Sequence, residues 1–231
     1  MEEKQIHDDL ASIRSLMERS SKFISLSGLS GILAGVYALI GAGLAYYDFY
    51  VWGQAQIYLN GKIVKMNELS VAPSTTPTFN RYDGIIYNGF LYHSKSLFLI
   101  AVLVLITSIC TGVILTVRKA KQKKQQVWGR LSRSLLFNMA VPLCTGGSLI
   151  IVFIIHHYYD FIIPSCLVFY GISLVAASNF TFTDVKYLGL SEIFIGLIAA
   201  CLPGYGLLFW AIGFGVLHIV YGSMMYFKYD R

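Results

Sequence analysis

Long apolar runs almost free of charge dominate this chain and limit what it can fold into. A helix needs about 20 apolar residues to cross a hydrocarbon core about 30 Å thick. Runs of that order lie at 23–47, 96–117, 134–155, 161–179, 187–202 and 206–226. Of 231 residues, 56% are hydrophobic and 13% charged, against roughly 45–50% and about 25% in soluble domains. That excess has to face lipid. The expected fold is an all-α integral membrane protein, a six-helix transmembrane bundle, with five spans if the short fifth run fails to cross.

Orientation follows from the basic residues. Arg118, Lys119, Lys121, Lys123, Lys124, Arg130 and Arg133 crowd the connection 118–133, whereas the turn from His156 to Asp160 holds no Lys or Arg. The basic loop is therefore expected on the cytoplasmic side, and alternation puts both termini there. The basic run can also attract anionic headgroups at about 1 kcal/mol per residue, although orientation alone accounts for it. Acidic residues are mixed into the first 22 positions, and the first apolar run is too long for a signal h-region, so the first span is expected to stay in the mature protein.

Residues 1–22 place Ile6, Leu10, Ile13 and Met17 on one face of a helix. With five acidic and four basic side chains, this cytoplasmic amphipathic helix suits packing on protein better than lying on anionic lipid. The connection 48–95 is expected outside the cytoplasm, with a small β-hairpin near 56–65. There Asn60-Gly61 separates Ile57-Tyr58-Leu59 from Lys62-Ile63-Val64, and Asn-Gly suits a type I′ turn. Pro73 to Pro77 reads as a turn segment, and the tyrosine-rich stretch 82–92 reads as an interfacial belt or a lid.

Helix faces carry the remaining information. In the first span Gly28, Gly31, Gly35, Ala38, Ala42 and Ala45 recur at steps of three and four, a stripe that lets helix backbones approach closely. The fifth span repeats Gly-Leu-Ser-x-Ile-x-x-Gly at Gly189 to Gly196, which is compatible with a duplication or with shared packing needs. Within that repeat Glu192 stands where the first span has Gly31. Its face-mates are Gly189 and Gly196, while His218 of the sixth span lies among Gly215 and Gly222, so the two faces are expected to meet.

Folding back between Gly204 and Tyr205 puts Glu192 level with Leu217, one residue from His218. The pair is expected to hydrogen-bond directly or through one water. An unpaired acid at mid-helix costs about 2.5–3.5 kcal/mol by insertion scales. Such a pair either relays protons or binds a polar solute or cation, or it serves as an interhelical clasp. Asn138 and Tyr221 are expected to complete the cluster in a pocket between the third, fifth and sixth helices, with Pro142 kinking the third. A second candidate is a metal site at His156, His157 and Asp160, joined by His93, but adjacent helical residues diverge by about 100° unless the helix has ended.

All four cysteines lie inside apolar runs without CxxC spacing, and no zinc or disulfide framework is indicated. No nucleophile elbow, phosphate loop or HExxH helix is present, so an enzyme has no positive support and no cofactor is indicated. The net charge of +6 has no folded basic domain to carry it, which argues against nucleic acid. The expected partners are membrane lipid and a second copy or another membrane protein. The stretches Met17 to Gly31 and Gly213 to Gly222 resemble those of uncharacterised multi-pass bacterial inner-membrane proteins; the resemblance implies a bacterial inner membrane and no particular activity. Two functions lead: binding or passing a small solute, ion or proton at the intramembrane site, or serving as a non-catalytic structural or regulatory subunit; a membrane enzyme is a distant third.

Overall fold

The computed structural model describes residues 27–48, 57–59, 62–64, 80–122 and 127–230, with side chains for 27–48, 96–122 and 127–229. The expected N-terminal helix, the turn at 60–61 and Pro73 to Pro77 lie outside the described residues. The described chain forms helices α1 (Gly28–Tyr46), α2 (Asn80–Gln122), α3 (Arg130–Ile155), α4 (Ile162–Ser178) and α5 (Asp184–Cys201). The last helix, α6, joins an α-helical Gly206–Trp210, a π-helical Ala211–Leu217, an α-helical His218–Met225 and a π-helical Tyr226–Asp230. Strands β1 (Ile57–Leu59) and β2 (Lys62–Val64) pair antiparallel, Ile57 opposite Val64 and Leu59 opposite Lys62.

Five stretches among the described residues are long and apolar enough to cross a membrane: Gly28–Tyr46, Ser96–Gln122, Arg130–Ile155, Tyr159–Ser178 and Gly206–Tyr229. This is the build of a multi-pass membrane protein. The remaining helix, α5, carries Asp184, Lys186 and Glu192 within its 18 residues. Large apolar side chains such as Phe98, Leu105, Ile109, Phe137 and Phe194 point outward, which is costly in water and costs nothing in hydrocarbon. Helix α2 starts at Asn80, well before the apolar run at 96. No proline follows Pro77 until Pro142, so nothing forces a break between the polar and apolar parts of α2.

Glycine decides which helices touch. A Cβ on Gly171 would lie 2.6 Å from Gly189 O, and one on Gly189 would lie 2.6 Å from Gly171 O. The α4 and α5 backbones are therefore in direct contact. A short connection, 179–183, makes them antiparallel neighbours, and Gly196 further along α5 seats Val168 and Leu167 of α4. The same arrangement joins α1 to α6. A Cβ on Gly35 would stand 2.6 Å from Gly215 O, one on Gly222 would stand 2.6 Å from Ile32 N, and Gly28 and Gly31 both lie against Gly222. Contacts this close replace lipid packing with dense van der Waals contact and Cα–H···O interactions.

These partners differ from those expected. Gly189 and Gly196 close on α4 rather than on α6, and Gly215 and Gly222 close on α1 rather than on α5. The reason is chain geometry: the five-residue connection 179–183 makes α4 the neighbour of α5, and the stripe on α1 offers α6 a matching glycine face.

Two helices flank this core. Helix α2 packs on α1, where Gly41 makes room for Val104, and Ser96 hydrogen-bonds Asp48. Helix α3 packs on α4, where Gly146 seats Phe169 and the buried Ser173 hydroxyl donates to Met139 O at 3.2 Å. Helix α3 runs unbroken through Pro142, and Met139 lies next to Asn138, whose carbonyl loses its donor to that proline. At one end of the bundle Lys228 and Tyr229 of α6 donate to Asp184, Lys228 at 3.0 Å and Tyr229 at 2.7 Å. The end of α6 is thereby tied to the start of α5.

Gly222→Ala should lower stability by about 1–3 kcal/mol, because the methyl meets backbone rather than a movable side chain. Gly43 has nothing within 4 Å of such a Cβ, so Gly43→Ala should be neutral or mildly stabilising. Thermal unfolding of the two purified variants in detergent checks the contrast, and equal losses would remove the account.

Candidate functional site

Three helices bring one ionisable cluster together at a common depth. Glu192 is eight residues into α5 and Tyr170 eight residues before the end of α4. Each is therefore about 12 Å from the helix ends that meet at the 179–183 turn. His218 lies ten residues before Lys228 on α6, which is about 15 Å by the same rise.

Glu192 is 0% exposed and His218 7% exposed. His218 Nδ1 lies 3.1 Å from Gly213 O and 3.4 Å from Glu192 Oε1. The first is a hydrogen bond; the second is beyond good N–H···O range. Nε2 is 2.8 Å from the Tyr170 hydroxyl, whose ring stacks on the imidazole at 5.5 Å and 27°. Phe214 and Trp210 extend the aromatic contacts along α6, at 5.3 Å from Tyr170 to Phe214 and 4.8 Å from Phe214 to Trp210. Neither Glu192 oxygen has a hydrogen-bond partner among the described residues.

The π-helical segment explains how Gly213 and His218 come to share a face. In a regular α-helix two residues five apart diverge by about 140°, since each step turns about 100°. A π turn bonds i to i+5 and brings them into line. Gly213 then faces α5, where a Cβ would lie 2.6 Å from Glu192 Oε2 and 2.5 Å from Leu167 Cδ2. Only a residue without a side chain leaves room for the carboxyl. Gly215, two positions on, faces Leu39 of α1 instead.

The other expected members sit elsewhere. Asn138 donates to Ser134 O of its own helix at 2.8 Å, on α3, which packs against α4. Tyr221 is half-buried against the apolar cluster of Leu174, Val185, Leu188 and Met225. The third wall of the site is therefore α4, not α3, because the short turn at 179–183 docks α4 on α5. Tyr170 and Gly213 were missed. Folding back about residue 181 puts Tyr170 level with Glu192, so the signal for it was present; nothing in the pattern announces a π turn.

The metal candidates do not converge. Helix α3 ends at Ile155 with His156 as its C-cap, and His157 takes a left-handed φ of 61°. Tyr158 N–H bonds Phe153 O and His157 N–H bonds Ile154 O, a Schellman cap. His157 Nδ1 is then 2.7 Å from the Tyr159 hydroxyl, and His156 stacks on Tyr158. All three candidates, Asp160 included, are exposed, and no three His, Cys, Asp or Glu gather into a metal-binding group among the described residues. The side chain of His93 lies outside them. No protein-family model, curated protein or solved structure matches this chain.

Gly213→Ala should cost about 1–3 kcal/mol by pushing on Glu192 and Leu167, whereas Tyr170→Phe should cost about 0.5–1.5 kcal/mol through one lost hydrogen bond. Thermal unfolding in detergent measures both, and a neutral Gly213→Ala would show that the carboxyl does not occupy that space. His157→Gly should raise stability by about 1 kcal/mol, since the left-handed conformation penalises a side chain; a loss on the same assay would contradict the cap.

Proposed function

We propose that this is a multi-pass protein of a bacterial inner membrane that binds or passes a small solute, ion or proton at an intramembrane site formed around Glu192 and His218. The observation that carries the reading is a carboxyl group 0% exposed beside an imidazole, inside a bundle whose outer surface is apolar. An ionisable pair at that depth costs free energy that helix packing alone does not require. In this reading α5 also crosses and brings the spans to six, and its charged residues lie inside or at its mouth rather than towards lipid. The basic connection 118–133 and both termini face the cytoplasm by the positive-inside rule, and the β1–β2 pair caps the opposite face.

A non-catalytic structural or regulatory subunit is the second reading, and one observation favours it. Phe98, Leu99, Leu105, Ile106, Ile109 and Ile114 of α2 are exposed, so that helix has a wide face to offer another membrane protein or a second copy. The test is reconstitution of the purified protein in liposomes carrying an internal pH dye. Proton movement that depends on a pH gradient and is lost in Glu192→Gln supports the site reading. If unaltered protein moves neither protons nor labelled solutes yet keeps a second membrane protein bound through purification, the subunit reading replaces it.

A further inference from the structure

We infer that the ligand of this site is a proton, held on Glu192 as a neutral carboxylic acid at neutral pH. The inference rests on the reading of the Glu192–His218 site given above and identifies what that site takes.

The argument is an account of donors and acceptors. His218 Nδ1 faces two groups that can only accept in their ordinary forms, Gly213 O at 3.1 Å and Glu192 Oε1 at 3.4 Å. Nδ1 therefore carries a hydrogen. Nε2 lies 2.8 Å from the Tyr170 hydroxyl, which can donate to it. Both ring nitrogens are satisfied with the imidazole neutral. A charged imidazolium paired with a carboxylate would draw together to about 2.7–2.9 Å, and the observed 3.4 Å separation is not that of such a pair.

Among the described residues Glu192 is thus left without a compensating positive charge. It is 0% exposed, and both of its oxygens lack a hydrogen-bond partner among the described residues. As a carboxylate it would leave about four acceptor sites unfilled, with an effective penalty of several kcal/mol for the buried ion. One proton removes that charge by forming an O–H bond to a carboxyl oxygen; on release the bond breaks and its electron pair stays on the carboxylate. Of the titratable side chains on the helices packed against α5, His218 from α6 and Tyr170 from α4 face Glu192, and neither supplies a cation in this arrangement.

Larger ligands do not fit the same atoms. A metal ion or an ammonium group would need the Glu192 oxygens and Gly213 O to converge on it, but the Nδ1–H dipole already points its positive end at that spot. The volume is also filled: even a methyl on Gly213 would lie 2.6 Å from Oε2 and 2.5 Å from Leu167 Cδ2. A proton needs no volume.

Infrared difference spectroscopy of the purified protein against Glu192→Gln at pH 7 tests this directly. The expected result is loss of one protonated-carboxyl C=O stretch with the carboxylate bands unchanged, because exposed Asp and Glu, with ordinary values of about 3.9 and 4.3, are ionised there. Loss of a carboxylate stretch instead overturns the inference. Should the variant fail to fold, unaltered protein suffices: a protonated-carboxyl band that persists at pH 7 and bleaches on alkalinisation supports the assignment, and its absence at pH 7 overturns it. The band with no proton movement in liposomes leaves the neutral acid standing and removes the transport reading. Glu192-dependent movement without the band does the opposite.

Discussion

Contact between helix backbones at glycine is the interaction on which the rest of this structure depends. Lipid tails are as apolar as the side chains they cover, so burial of apolar area supplies little drive for helix association within a bilayer. What remains is close packing. Gly171 and Gly189 meet across α4 and α5, and Gly28, Gly31 and Gly35 meet Gly222 and Gly215 across α1 and α6. These two tight pairs fix the positions of four helices, and α2 and α3 attach to their outer sides through Gly41 and Gly146.

Such density creates the setting for Glu192. Backbones this close leave no room for a flexible polar network, and the carboxyl occupies the gap left by the missing side chain of Gly213. The π-helical segment Ala211–Leu217 then does two things at once. It turns Gly213 towards α5 and brings His218 into register with it, while Gly215 remains against α1. A regular α-helix could not present those three residues in those directions. Segments of this kind often mark functional sites, and here its role can be stated in terms of named contacts.

Much of this was legible in the sequence, and the failures have physical causes. Apolar runs read against bilayer thickness locate the membrane-crossing helices because chain length and hydrocarbon thickness are directly comparable. Counting back from the Pro203-Gly204 turn places Glu192 near His218 because hairpin depth depends only on rise per residue; the two side chains stand 3.4 Å apart. Tyr170 needed the same arithmetic applied to the preceding turn. An ideal period of 3.6 pairs the glycine faces of α5 and α6 with each other, whereas each face has a better partner in α4 and α1. Asn138 looked available for the site, yet an amide in an apolar helix can bond its own backbone one turn earlier, and it does so at Ser134.

The pairing of α1 with α6 also has a consequence for how the protein comes to exist. A ribosome delivers the chain from its N-terminus, and the partner of the first described helix is the last described one. Among the described residues, Gly28, Gly31 and Gly35 of α1 find their close contacts on α6, whereas α2 packs on α1 at Gly41, and α3 and α5 pack on α4. Insertion of α6 joins the two groups, and its Gly222 is among the residues that close the bundle. The same late helix carries His218, so the site around Glu192 is completed only when assembly is.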